Sequence, residues 1–184
     1  KVEWVEKHEQ TGIYVDRSID FIRRNQEKNF YLHLWLNDVH DGHKPREDYL
    51  KKYEAFSDRP FLQQFYAVLH QMDDEIGRLV DEVDELGLAE KTMFVVTSDN
   101  GPTAWPRYYN QGYEAPGSTG GMRGRKWSLY EGGVGMPLIV RWKGKVPAGI
   151  VDETTVSSAV DFFPTFCKIA GVTAPDADFD GEDM

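Results

Sequence analysis

The sequence predicts a layered α/β fold, and three observations carry that prediction. An apolar repeat runs from Phe61 through Phe65, Val68, Leu69, Met72, Ile76, Leu79, Val80 and Val83 to Leu86, stepping by three and four as one helix face requires. Soon after it, Met93-Phe94-Val95-Val96 lies between threonines, a short unbroken apolar run of the kind that makes a strand buried on both faces. Further apolar runs at 30–36 and 137–142 supply the remaining strands such a fold needs.

Taken in order, residues 18–26 read as a short helix with Ile19 and Ile22 on one side, and Asn29 closes it before the aromatic, apolar strand 30–36. The segment Asn37-Asp38-Val39-His40-Asp41-Gly42-His43-Lys44-Pro45 is polar and turn-forming, so it must be a loop, and loops that follow strands commonly carry sites. The long helix should make about seven turns, with Pro60 near its first turn and Gly87 as its C-terminal cap. A second strand covers 92–97. From Gly101 to Gly121 the composition shifts to Gly, Pro, Tyr and Trp without any period, and so long an irregular segment is expected to be a functional, mobile rim. The strand at 137–142 follows, and Asp161-Phe162-Phe163-Pro164 opens a helix that runs to Ala170 and stops at Gly171.

A chain of 184 residues with 40% hydrophobic and 13% aromatic content is long and apolar enough to form one packed domain. Its net charge of −10, from 21 basic and 31 acidic residues, argues against a general binder of nucleic acid or anionic membrane. The acidic residues between Asp73 and Glu90 suit a solvated helix face, whereas Arg123, Arg125, Lys126, Arg141, Lys143 and Lys145 form a basic stretch able to gather a small anion. Cys167 is the single cysteine, which excludes an internal disulfide or a thiolate cluster. No apolar run approaches the roughly 20 residues of a membrane span. The opening Lys1-Val2-Glu3-Trp4 has no Met and no signal-peptide pattern, and reads as the start of an excised piece.

Candidate chemistry sits in three loops. Asp99-Asn100-Gly101 follows the strand 92–97, where open α/β sheets place their ligands. A carboxylate beside a carboxamide offers two hard oxygens suited to Ca²⁺ or Mg²⁺, although the same tripeptide also makes an ordinary Asx turn. His40 and His43 flank Gly42 in the first loop, and an imidazole there suits an anionic substrate or a departing oxygen, or simply faces solvent. Lys126 lies among glycines, where an ammonium can approach a small oxyanion closely; otherwise it is a surface lysine. Glu131 reads as a loop anchor, and His33 and His70 as packing residues. Asp73-Asp74 diverges around the long helix, so it reads as structural rather than as a metal pair.

In their order and local wording, five segments resemble the formylglycine-dependent sulfatases, arylsulfatases and N-acetylhexosamine sulfatases included. They are residues 30–45, Met72 to Leu79, Thr97-Ser98-Asp99-Asn100-Gly101-Pro102, Arg123 to Gly133, and Asp161-Phe162-Phe163-Pro164-Thr165. The resemblance implies part of an alkaline-phosphatase-like three-layer sandwich, with a mixed, largely parallel sheet between helices. It implies hydrolysis of a sulfated small molecule or carbohydrate by a formylglycine nucleophile beside a bound Ca²⁺, with Mg²⁺ as the alternative ion. Asp99 and Asn100 match the second pair of metal ligands, Lys126 the lysine bridging sulfate and leaving oxygen, and His40 the histidine contacting substrate. His43 is assigned to the substrate rim without a firm family counterpart.

Two departures qualify this reading. No Ser or Cys here lies in a Cys/Ser-x-Pro-x-Arg motif, and the chain ends at Asp180-Gly181-Glu182-Asp183-Met184, where the family continues into a small subdomain. Residues 1–184 are therefore expected to be a partial catalytic domain, inactive alone, from an enzyme of the periplasm, the lysosome or the cell exterior. The alternatives are a phosphodiesterase or phosphonate hydrolase of the same superfamily, against which Asn100 argues, and a noncatalytic truncated binding domain.

Overall fold

A computed structural model describes residues 4–184. The chain divides into two compact units, Lys1–Val146 and Pro147–Met184.

The first unit is built on two packed helices, α1 (Lys7–Asn25) and α3 (Pro60–Glu85), with the short α2 (Glu47–Lys51) between them in sequence. Helix α1 is longer than predicted because its buried face mixes Thr11 and Ser18 with Val15, Ile19 and Ile22, so its first turns carry no apolar period to read. The Ser18 hydroxyl is satisfied by the Tyr14 carbonyl at 2.8 Å. Helix α3 is the predicted amphipathic helix, 26 residues long with Pro60 in its first turn. It ends in a Schellman motif: Gly87 has φ +70°, its N–H meets the Asp84 carbonyl, and the Leu88 N–H meets the Val83 carbonyl, both at 3.0 Å.

Val15, Ile19 and Ile22 pack against Leu79, Val83 and Leu88 to form the core. At its rim, Arg23 grips Glu82 with two bonds of 2.7 Å. Asp74 accepts the Tyr49 hydroxyl at 2.7 Å and so joins α2 to α3, the structural role expected for it. Residues 30–36 are extended and alternate as a strand would. Phe30, Leu32 and Leu34 pack on the core, while Tyr31, His33 and Trp35 face outward. No ladder forms there among the described residues, so the predicted strand is an extended segment held by one-sided packing. His33 accordingly lies outside the core, edge-on to Trp35.

The unit's sheet has two strands among the described residues, β1 (Phe94–Thr97) and β2 (Leu138–Arg141). They are antiparallel, in register from Phe94↔Arg141 to Thr97↔Leu138. Burial on both faces, expected for β1, is not what the structure has: Phe94 packs on the core, but Val96 is 37% exposed. A two-strand ladder gives each strand one neighbour, and the helices reach only the first end of β1. Between the strands lie two four-residue helices, α4 (Pro106–Tyr109) and α5 (Glu131–Val134).

In the second unit a 3₁₀ turn (Ala159–Asp161), capped reciprocally by Ser158 and Asp161, leads into α6 (Phe162–Ile169). Gly171, φ +66°, ends the helix as predicted. The tail folds back, with the Glu182 N–H on Asp161 and the Met184 N–H on the Thr165 hydroxyl, both at 3.0 Å. Among the described residues, no helix is long and apolar enough to cross a membrane.

Candidate active site

Asp99 and Asn100 lie where the chain leaves β1. Backbone bonds join their turn to the Lys126 loop at two points. The Gly101 N–H donates to the Gly133 carbonyl, and the Lys126 N–H donates to the Pro102 carbonyl, each at 2.9 Å. Residues 32 and 24 positions apart in sequence are thereby stitched side by side. Asp99 is exposed and Asn100 half-buried. The Asn100 amide nitrogen donates to the Gly101 carbonyl at 2.9 Å, a bond that leaves its oxygen, the acceptor end, unused.

This junction exists because glycines let backbone meet backbone. A Cβ on Gly101 would lie 2.0 Å from the Gly132 carbonyl oxygen, and one on Gly132 would lie 2.2 Å from that of Gly124. One on Gly133 would lie 2.2 Å from the Ser128 oxygen. Glycines expected to admit an oxyanion beside Lys126 thus serve first to pack main chain, a role that composition alone does not reveal. Trp127, next to Lys126, holds φ at +74° and is 74% exposed.

The segment expected to be a mobile rim is instead pinned at its neck. The Arg125 guanidinium donates through Nε to the Thr103 carbonyl at 2.7 Å, and the two hydrogens of Nη2 are shared among the carbonyls of Ala115, Pro116 and Gly117 at 3.1, 2.8 and 2.8 Å. At its far side Tyr108, 2% exposed, packs on Phe61. The Tyr108 hydroxyl donates to Asp41, which also receives Arg107 Nη2 at 2.9 Å. Asp41 follows His40 in sequence, so the first loop joins the same framework. Burial raises the Tyr108 hydroxyl above its usual range, keeping it a neutral donor.

The His40 ring is exposed, with Nδ1 at 2.7 Å from the Asp41 carbonyl. That contact makes Nδ1 the N–H donor and turns Nε2 outward. His43 is buried against Phe65, with Nε2 at 3.2 Å from the Val39 carbonyl. Burial pushes its pKa down and holds the ring neutral. The rim assigned to His43 from sequence is therefore an interior position in this structure.

Beneath the loop, Lys7 donates to the carbonyls of His40 and Gly42, and Thr11 donates to the buried Asp38 carboxyl. Burial pushes the Asp38 pKa up to about 6 from an ordinary 3.8. A carboxyl with a raised folded-state value contributes stability that is complete below about 3.8 and lost as pH rises through about 6. The neutral His43 has the opposite sign, its contribution being lost as pH falls below about 6.5. Asp38→Asn should therefore be more stable than the unsubstituted protein at pH 7.5 by on the order of 2 kcal/mol. At pH 4 that advantage should vanish. Urea midpoints at the two pH values measure the difference, and an advantage that does not change with pH would contradict it.

The Sulfatase family model matches residues 3–172. Mouse steryl-sulfatase is 34% identical over 171 residues, which are 92% of this chain and 26% of that protein. Dog N-acetylgalactosamine-6-sulfatase is 31% identical over 182 residues, covering 95% of this chain and 31% of its own length. The crystal structure of the PsFucS1 sulfatase from Pseudoalteromonas sp. superposes with a TM-score of 0.76 at 28% identity, over 100% of this chain and 36% of that one.

The chain belongs to the sulfatase family.

It spans about a quarter to a third of the length of these curated sulfatases. The family relation bears out the predicted class, α/β of the alkaline-phosphatase-like kind, present here in part. His40, Asp99 with Asn100, and Lys126 lie on one hydrogen-bonded framework, in segments that the sulfatase resemblance had singled out separately. Two shallow grooves elsewhere, one along Asp73, Arg78 and Glu82 and one between His8 and Lys51, include none of them. Among the described residues, no three His, Cys, Asp or Glu side chains gather to hold a metal. Asp99 and Asn100 fit a hard cation by donor type, as part of a ligand set. Sequence reasoning missed Asp41, Arg107 and the grip of Arg125. An aspartate next to the singled-out histidine was the one available hint.

Proposed function

We propose that the whole protein hydrolyses sulfate esters, with this chain supplying Asp99 and Asn100 to a Ca²⁺ or Mg²⁺ site, Lys126 to the sulfate, and His40 to the leaving-group side. The observation that supports this most is the backbone stitching of Gly101 and Pro102 to Gly133 and Lys126, which joins the turn that follows Asn100 to the loop that carries Lys126. The bound ion would neutralise sulfate charge and favour an anionic nucleophile. Lys126 would hold a sulfate oxygen and the ester oxygen as a compact point charge. Protonated His40, its Nδ1 fixed on the Asp41 carbonyl, would donate from Nε2 to the departing alkoxide. The buried, neutral His43 would support the loop rather than touch substrate.

The nucleophile, a formylglycine in this reading, would come from another part of the protein, so residues 1–184 alone would release no sulfate. The alcohol would be a sugar, sterol or aryl group, in line with the names of the related steryl- and N-acetylgalactosamine-6-sulfatases. Periplasm, lysosome or cell exterior is the proposed compartment. The whole protein should release sulfate from 4-nitrophenyl sulfate at least about tenfold faster than it cleaves bis(4-nitrophenyl) phosphate, a preference of about 1.4 kcal/mol. The reverse preference would favour a phosphodiesterase. Activity toward neither would favour a noncatalytic binding domain.

A further inference from the structure

A single side chain closes the neck of the irregular loop. Arg125 holds Thr103 at the loop's beginning through its Nε–H and residues 115–117 at its end through the two N–H groups of Nη2, which three carbonyls share. The next residue in sequence is Lys126, whose N–H is tied to Pro102. The body of the loop presents Trp105, Tyr109 and Tyr113, which are 43%, 47% and 39% exposed. Arg107 lies over the Trp105 ring at 4.6 Å and bonds Asp41 beside His40. The loop therefore spans from the Lys126 backbone to the His40 loop, carrying exposed rings between them.

We propose that Arg125 is a positioning residue for alcohol recognition: it fixes the ring-bearing 103–117 loop in one place relative to Lys126, so that the organic part of the ester meets Trp105, Tyr109 and Tyr113. The proposal rests on the sulfate-ester reading above. One cation faces carbonyls from both ends of the loop, so removing the guanidinium frees both ends together. Lysine cannot replace it, because a single ammonium lacks the planar fork that reaches both ends of the neck. Ring faces suit a cyclic alcohol such as a sugar or a sterol, whose C–H faces pack on aromatic surfaces. A small aryl ester that fills only the sulfate end would feel the loop much less.

The test compares the unsubstituted whole protein with Arg125→Ala and Arg125→Lys on 4-nitrophenyl sulfate and on N-acetylgalactosamine 6-sulfate. Both variants should lower kcat/KM for the sugar ester at least about tenfold more than for the aryl ester, mainly through KM, a difference of about 1.4 kcal/mol. Limited trypsin and chymotrypsin digestion, read by mass spectrometry, should show faster cleavage within residues 103–117 and unchanged cleavage elsewhere. Equal losses on the two esters, or unchanged digestion of the loop, would overturn the proposal. If the unsubstituted protein hydrolyses neither ester, the sulfate-ester reading fails, and the digestion still decides whether Arg125 holds the loop.

Discussion

In the whole protein, Asp99→Ala and Lys126→Ala should each reduce sulfate-ester turnover at least about a hundredfold, the loss typical of removing one preorganised charge contact. The two substitutions should fail differently. Asp99→Ala removes a hard oxygen from the proposed cation site, so its activity should recover in part as Ca²⁺ or Mg²⁺ is raised. Lys126→Ala removes a monovalent contact to the substrate, and no metal concentration should restore it. Asn100→Asp keeps an oxygen ligand and should fall between the unsubstituted protein and Asp99→Ala. Initial rates on 4-nitrophenyl sulfate across a metal titration measure all three, and near-normal rates for either alanine variant would remove these residues from the site. Backbone bonds from Gly101 to Gly133 and from Lys126 to Pro102 do not involve either side chain, so neither loss should be explained by a collapsed turn.

Gly101→Ala should lower stability by about 3 kcal/mol or more, the upper end for forced overpacking, because the added methyl would meet a carbonyl oxygen at 2.0 Å. The obstacle is main chain on both sides, so no rotamer change relieves it. Gly132→Ala should be as damaging, with oxygens of Gly124, Arg123 and Met122 at 2.2, 2.8 and 2.9 Å. Gly77 provides the control: it lies within α3 with nothing within 4 Å of an added Cβ. Gly77→Ala should therefore raise stability by about 0.5–1 kcal/mol. Denaturant midpoints of the three variants would test the contrast. A mild effect at Gly101 would mean that the Asp99 turn and the Lys126 loop are not packed as described.

The long helix α3 was legible because the apolar positions from Phe61 to Val83 repeat at helical spacing, and its end because Gly87 supplies the one backbone conformation a Schellman motif needs. The start of α1 was not legible, since Thr11 and Ser18 bury hydroxyls, one bonded to the distant Asp38 and the other to the Tyr14 carbonyl, and leave no apolar period. The extended run 30–36 shows the limit of alternation. Its pattern reports which side chains face the core, whereas a strand is defined by a hydrogen-bonding neighbour that the pattern does not mention.

By itself, the sequence determined the α/β class, the turns that carry Asp99, Asn100, His40 and Lys126, and the sulfatase kinship, because each depends on residues close together in the chain. Only the tertiary structure decided that these turns share one framework, through Arg125 at the neck of the loop and Asp41 at its far side. It likewise placed His43 inside rather than at the rim. Such contacts join backbone carbonyls and lone side chains across tens of residues. A carbonyl acceptor is the same at every position, so the sequence carries no mark of which one a distant guanidinium will find.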